Sequence, residues 1–381
     1  MSENWQTHKL GELCEVLDSK RKPITKRNRV SGEYPYYGAT GILDYVADYI
    51  FDEKLILIGE DGAKWGSGEN SAFSAEGQYW VNNHAHVIRP DRNKVLDEWL
   101  IYHLNHSDLS EYITGLTVPK LNQAKMRDIS LPVPPLPEQR RIVAILDEAF
   151  EGIATATANA EKNLANAREV FESYLNSVFT KKGDGWKEAS LGTMYDVRDG
   201  THDSPKYQPS GYPLITSKNL KRDGIDFSNV KLISEEDYQK INVRSLVHKG
   251  DVLFAMIGTI GNPTIVDSAP NFAIKNVALI KVGDDQSGRF LKYYLESQLV
   301  VSKMTSEAKG ATQKFVGLGY LRAFPISLPQ LDEQREVASY LDKLSNEVTS
   351  LENIYQQKLT ALDDLKKSML NKAFNGELRL I

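Results

Sequence analysis

The chain has 381 residues, 41% hydrophobic and 25% charged, with 46 basic against 51 acidic side chains and a formal net charge of −5. That balance fits a globular protein of roughly two to three domains and excludes a strongly cationic protein that grips nucleic acid unaided, while leaving open DNA binding shared with basic partners. The one cysteine, Cys14, excludes an internal disulfide framework and a cysteine zinc cluster and suits a reducing cytoplasm; the opening MSENWQTHKL has no signal-peptide core, and no apolar run approaches the ~20 residues of a membrane span.

In chain order, residues 1–137 mix short β-rich runs such as LILIG (55–59) with Gly, Pro, Asn and Asp punctuation, include a helical stretch at 97–106, and leave through the proline-marked LPVPPLP (131–137). Residues 138–182 read as one long helix without proline. From Ile142 its apolar positions run through Leu146, Ala149, Ile153, Ala156, Ala160, Leu164, Ala167, Val170, Tyr174 and Val178, a heptad seam. Residues 183–332 return to the first texture, with VLFAMIG (252–258), NVALIKV (276–282), a helical stretch at 289–303 and the exit FPISLPQ (324–330). Residues 333–381 form a second long helix and a tail, with Val337, Leu341, Leu344, Val348, Leu351, Tyr355, Leu359, Leu362, Leu365, Met369 and Ala373 on the seam.

The two halves are copies. LPEQRRIVAILD (136–147) returns as LDEQREVASYLD (331–342), which sets Gln139 against Gln334, 195 residues on. The same offset carries SYLNSVF (173–179) onto SMLNKAF (368–374) and GLTVPK (115–120) onto GATQKF (310–315). Earlier blocks follow at drifting offsets: Trp5 and Leu10-Gly11 with Trp186 and Leu191-Gly192, KLILIG with DVLFAM, Asn83 with Asn276. The first seam is alanine-rich where the second carries Leu or Tyr, so thin packs on thick without voids. The expected fold is α+β: two similar globular domains separated by an antiparallel two-helix coiled-coil rod, with a pseudo-twofold from tandem duplication. A helix of roughly 40 residues reaches ~60 Å, too long to cover one domain.

No G-x-x-x-x-G-K-[ST] loop, H-E-x-x-H or G-x-S-x-G is present, and the only Pro-Pro, in VPPLP, lacks the following aromatic of an amino-methyltransferase motif. His84 and His86 lack an evident third ligand, so no metal site is expected. Nothing in these residues supports an autonomous enzyme. Two other readings stay open: a coiled-coil adaptor with two protein- or sugar-binding domains, and a nuclease, which would need a catalytic constellation the residues do not offer.

The sequences SLPVPPLPEQRRIVAILD and ISLPQLDEQREVASYLD, with the Trp-plus-Leu-Gly openings WQTHKLGEL and WKEASLGTM, closely resemble the specificity subunit of type I restriction–modification systems, along the whole chain. Gln330 departs from the pattern where the family often has a second Pro, as Pro135 is here. The resemblance implies two target recognition domains, each reading one half of a bipartite site in double-stranded DNA. It implies helices that set the spacer and dock two modification subunits. It implies no cofactor on this chain: S-adenosylmethionine for N6-adenine methylation belongs to the modification subunits, and ATP and Mg to restriction subunits, where two are present. A cytoplasmic location and no membrane partner follow.

Base reading needs hydrogen-bonding side chains on loops held by a rigid scaffold. Composition and repeat position nominate, in the first domain, Lys20, Arg21 and Lys22 for phosphates, then Tyr36, Tyr37 and Thr40, Lys64 and Trp65, Asn83 and His84, and Thr117 and Lys120. In the second they nominate Arg198, His202 and Lys206, then Thr216, Ser217, Lys218 and Asn219, Thr259, Lys275 and Asn276, and Thr312, Gln313 and Lys314.

Overall fold

The computed structural model describes residues 5–115, 117–222, 224–310 and 314–378. Packing divides the chain into two units: Met1–Glu161 with Gln356–Ile381, and Lys162–Tyr355. The division falls inside both long helices, Leu136–Lys181 and Leu331–Phe374. Each unit therefore holds the start of one long helix and the end of the other.

The strand Leu55–Gly59 is buried along its whole length, as is Val252–Ala255 in the second unit. An uninterrupted apolar run can bury both faces of a strand, so it belongs inside a sheet. In the first unit the order is Cys14–Val16, Ala85–Pro90, Leu55–Gly59, Ala72–Ala75. In the second it is Asp196–Asp199, Val277–Lys281, Val252–Ala255, Gly261–Ile265; all neighbours in both sheets are antiparallel. Each unit adds a second sheet with one parallel pair, Ser31–Gly38 with Gln78–Val81 and Tyr212–Ile215 with Ala273–Ile274. Mixed helix and sheet in two like domains is the fold class expected, and the sequence repeat is a repeat of topology.

The Trp-plus-Leu-Gly openings close each unit against its exit. Gln6–Lys9 pairs with Ser130–Val133, and Lys187–Ser190 with Pro325–Leu328. Leu10 N donates to Ile129 O and Leu191 N to Phe324 O, both at 2.8 Å. A Cβ on Gly11 would lie 2.9 Å from Arg127 Cβ, and one on Gly192 2.9 Å from Arg322 Cβ, so the close approach requires glycine at both places.

One device mounts each domain on its helices. In the first unit, buried Gln139 accepts from Leu96 N (2.9 Å) and donates to Lys94 O (2.9 Å) and Pro134 O (2.8 Å). In the second, buried Gln334 accepts from Ser287 N (3.0 Å) and donates to Gln286 Oε1 and Pro329 O, both 3.0 Å. A domain helix then crosses the long helices. Asp97–His106 gives Tyr102, whose hydroxyl donates to Asp147, and Trp99, edge-on to Phe374 at 4.9 Å. Gly288–Glu296 gives Tyr293, whose hydroxyl donates to Asp342 (2.7 Å), and Phe290, edge-on to Phe179 at 5.5 Å. Asp147 and Asp342 stand 195 residues apart, as do Phe179 and Phe374.

Two expectations are corrected. The helical stretch at 289–303 is two helices, broken at Ser297, whose buried hydroxyl donates to Tyr294 O (2.7 Å) and whose backbone is extended at φ −60°, ψ 141°. The first seam does not run on through Val170 and Tyr174, which are exposed; Phe171, Leu175 and Phe179 are buried instead. These last turns face the second unit's core, joining Leu291, Tyr293 and Leu321 in one cluster, so the buried stripe shifts by one residue. Leu351 and Leu365 on the second seam are exposed as well. No helix among the described residues is long and apolar enough to cross a membrane.

Removing either buried glutamine strands an N–H and two acceptors away from water, each costing about 1–3 kcal/mol when unpaired. Gln139→Ala should destabilise the first unit by about 3 kcal/mol and Gln334→Ala the second by the same amount. Denaturant unfolding followed by tryptophan fluorescence checks this; two variants as stable as the wild type would show the mount lies elsewhere.

Candidate nucleic-acid interface

The central strand of each unit runs out into a cluster of loops. After Leu55–Gly59, Glu60 N donates to His84 O and Leu121 N donates to Glu60 O, both at 2.8 Å. The blocks 60–65, 82–84 and 117–121 thus meet at one strand end. After Val252–Ala255, Val316 N donates to Met256 O (3.0 Å) and Gly258 N to Lys314 O (2.9 Å). The blocks aligned across the repeat are therefore brought together within each unit.

In the first unit Lys20, Lys22, Thr40, Lys64, Asn83 and Thr117 are exposed. Three nominees are committed to the scaffold, which corrects the expectation for them. Tyr36 is buried, its hydroxyl accepting from Ile24 N (2.9 Å) and donating to Ile24 O (3.3 Å). Trp65 is buried and donates from Nε1 to Gly59 O (3.0 Å). Arg21 turns inward to Glu60 (2.5 Å), Asp18 (3.3 Å) and Ala85 O (2.7 Å). Tyr37 is half-buried against Phe73 and Tyr79, and burial raises its hydroxyl pKa.

Arg21 belongs to an ion network at the strand end. Lys120 also binds Glu60 (2.7 Å), and His84 binds Asp61. His86, fully buried, sets Nδ1 against Asp18 (2.6 Å) and Nε2 against Leu121 O (2.7 Å). Both ring nitrogens are engaged, one by a carboxylate and one by a backbone carbonyl. Burial works to raise the Asp18 and Glu60 carboxyls, but His86, Val87 N–H and Arg21 hold the first below its ordinary range, and Lys120, Arg21 and His86 the second. Asp18, Glu60 and His86 lie close enough to share a cation. Arg21 already supplies the positive charge there and both nitrogens of His86 are engaged, so the cluster reads as a salt-bridged strut. His84 and His86 do not converge on one site.

In the second unit, Thr216, Ser217, Lys218, Asn219, Lys275 and Asn276 line one cleft of about 720 Å³. Thr216 and Asn219 cap each other: Asn219 Oδ1 accepts from Thr216 N (3.0 Å) and Oγ1 (2.9 Å), and Nδ2 donates to Asp226 O (3.0 Å). Asn219 is buried, so it shapes the cleft floor and is corrected from contact to support. Asn276 adopts φ +55°, which asparagine tolerates, and its Oδ1 meets His202 Nδ1 at 2.8 Å. His202 Nε2 meets Asp199 at 2.9 Å. Lys275 Nζ donates to Ser204. Arg198 pairs with Asp196 (2.6 Å) and lies outside the cleft lining. Lys206, Thr259 and Lys314 are exposed. Thr312 and Gln313 lie outside the described residues. Tyr207, Ser228, Asn229 and Lys231 also line the cleft and were not nominated; Lys231 Nζ stands 6.0 Å over the Tyr207 ring. They flank the strand Tyr212–Ile215 in two stretches that no aligned sequence block covers, so the sequence repeat gave no signal for them.

The chain matches the family model described as type I restriction modification DNA specificity domain twice, over residues 2–164 and 183–361. It is 30% identical over 360 residues to a putative type I restriction enzyme specificity subunit of Haemophilus influenzae, covering 89% of this chain and 88% of that protein. It is 22% identical to the MjaVIII type I restriction enzyme specificity subunit of Methanocaldococcus jannaschii, over 99% and 94% of the two chains. Among solved structures, it matches a chain from work on assembly and conformational transition of the type I restriction–modification system, with TM-score 0.75, 20% identity and 99% of both chains covered. The HsdS subunit of Thermoanaerobacter tengcongensis gives TM-score 0.59 at 20% identity over 99% and 98%.

The carboxyls of Asp18 and Glu60 sit below their ordinary pKa values of 3.8 and 4.5 in the folded chain. Their contribution to stability is thus present above that range and is lost as pH falls through it to the lower folded values. Arg21→Gln should cost about 3 kcal/mol at neutral pH, as expected for a broken buried pair. The deficit should shrink below about pH 4.5 as the carboxyls protonate. Thermal unfolding of both proteins from pH 7 to 3.5 checks this; a pH-independent deficit would mean that Arg21 acts by packing alone.

Proposed function

Because the chain belongs to the type I restriction–modification DNA specificity family, we propose that each unit reads one half of a bipartite site in duplex DNA through the loops at the end of its central strand. The carrying observation is that both units place the same blocks at the same strand end and carry them on the same mount. Exposed Asn83 and Thr117 in the first unit and exposed Lys218 in the second, with half-buried Ser217 and Lys275 beside it in the cleft, offer donors and acceptors to a base edge. Tyr36, Trp65, Arg21 and Asn219 hold those loops in shape. The chain acts as a non-catalytic reader.

In this reading the long helices are the ruler between half-sites. They also dock two modification subunits, which bring S-adenosylmethionine, and restriction subunits with ATP and Mg where the system has them. Exposed apolar side chains along the helices, among them Val170, Tyr174, Tyr340, Leu351 and Leu365, support a docking role. The setting is cytoplasmic, with no membrane partner.

A methylation-sensitive map of host DNA with and without the gene tests the whole reading: paired half-sites at fixed separation should appear only with it. Replacing residues 183–325 with the matching segment of a relative should change one half-site and leave the other. If both changed together, or neither did, the two-reader scheme would fail.

The ruler has its own test. Ala158 lines a groove with Leu359 and Leu362, so a four-residue insertion after Ala158 is matched by one near Gln357. Each helix would lengthen by ~6 Å, close to one turn, which keeps the apolar face approximately in register. Methylation should move to the same half-sites with a spacer longer by about one to two base pairs. An active complex that kept the original spacer would show that the helices do not set it.

A further inference from the structure

The segment Lys20–Arg29 carries six cations and no carboxylate in ten residues. It is a strap tied down from beneath. Tyr36 and Trp80 face each other across the parallel strand pair. Trp80 Nε1 donates to Lys22 O (2.5 Å), and the Tyr36 hydroxyl accepts from Ile24 N (2.9 Å). Arg29 Nε donates to Ile24 O (3.1 Å). The two terminal arginines are inward anchors: Arg21 in the ion network, and Arg29 on Asp44 (3.1 Å) and over the Tyr36 ring (4.4 Å).

The other four cations, Lys20, Lys22, Lys26 and Arg27, are exposed and have no ion-pair partner among the described residues. Four like charges on a fixed backbone repel one another, and that cost is relieved when a polyanion runs past them. The strap also adjoins the reading loops, since Arg21 donates to Ala85 O (2.7 Å), next to His84. The corresponding stretch of the second unit differs: His202 and Lys206 stand there among Asp199 and Asp203.

We infer that the strap Lys20–Arg29 is a preformed phosphate-binding ridge that holds the backbone of duplex DNA beside the first unit's reading loops without reading sequence. The inference rests on the DNA-reading function proposed above and assigns Lys26 and Arg27 to it. Phosphate contacts position a protein, and base contacts specify the site. Each phosphate neutralised contributes about 0.9 to the slope of log affinity against log salt.

The test uses the complex assembled with its modification subunits, a duplex bearing the mapped site and a duplex of random sequence. Lys26→Gln/Arg27→Gln should weaken binding to both duplexes by the same factor, at least about tenfold at low salt, and reduce the salt slope by about 2. The preference for the mapped site should not move, and the unfolding midpoint should stay unchanged because both side chains point to solvent. An unaltered slope would overturn the inference. So would loss confined to the mapped duplex, which would make the pair base readers. Weaker capture of modification subunits with DNA affinity per complex unchanged would make the strap a protein contact and overturn it too. If the unmodified complex failed to prefer its mapped duplex, the proposed function would fall first, which separates the two failures.

Discussion

Everything in this chain depends on a mount that fixes a domain to two helices at once. A side chain that bonded only one helix would leave the domain free to swing about it. Here the glutamine fastens the domain at the start of one long helix, and the aromatic pair fastens it at the end of the other. Tyr102 with Asp147 and Tyr293 with Asp342 lock the rotation between them. The three contacts use different physics: a satisfied buried amide, a charge-assisted hydrogen bond and edge-on aromatic packing. Salt screens the charged bond and leaves the aromatic contact largely untouched, so the contacts respond differently to ionic strength.

That mount explains which residues were legible beforehand. Gln139 and Gln334 stood out because the repeat kept them 195 residues apart, and the constraint on them is steric and polar at once. The strands LILIG and VLFA were legible because only a strand buried on both faces tolerates such a run. The seam was less legible at its ends. Heptad spacing continues to Val170 and Tyr174, but spacing cannot tell that the last turns meet a domain core, which draws in Phe171, Leu175 and Phe179 instead.

The site was legible as a set of blocks and not as a set of atoms. The blocks 60–65, 82–84 and 117–121 meet at one strand end, because segments that follow equal strands in equal sheets leave at the same edge. It could not say which side chains of a block turn outward. Trp65 and Tyr36 carry polar tips suited to a base edge, yet their apolar bodies gain more from burial, and the tips find backbone partners. Arg21 sits in a run of three basic residues with Asp18 three positions before it, and only the fold brings up Glu60 from 39 residues on to draw the guanidinium inward.

The two units solve the same electrostatic problem differently. An acidic chain that approaches DNA must keep its carboxylates from facing the phosphates. In the first unit the strand-end acids pair internally with Arg21, Lys120 and His86, while Lys20, Lys22, Lys26 and Arg27 of the strap make no ion pair among the described residues. In the second, Asp199 is held by His202 and Arg244, and Asp251 by Lys281 at 2.5 Å, while Lys218 stays exposed at the cleft. The buried pairs contribute little net stability for their desolvation cost. What they contribute is cancellation: acids paired inside the fold add less negative field to the surface of a protein whose net charge is −5.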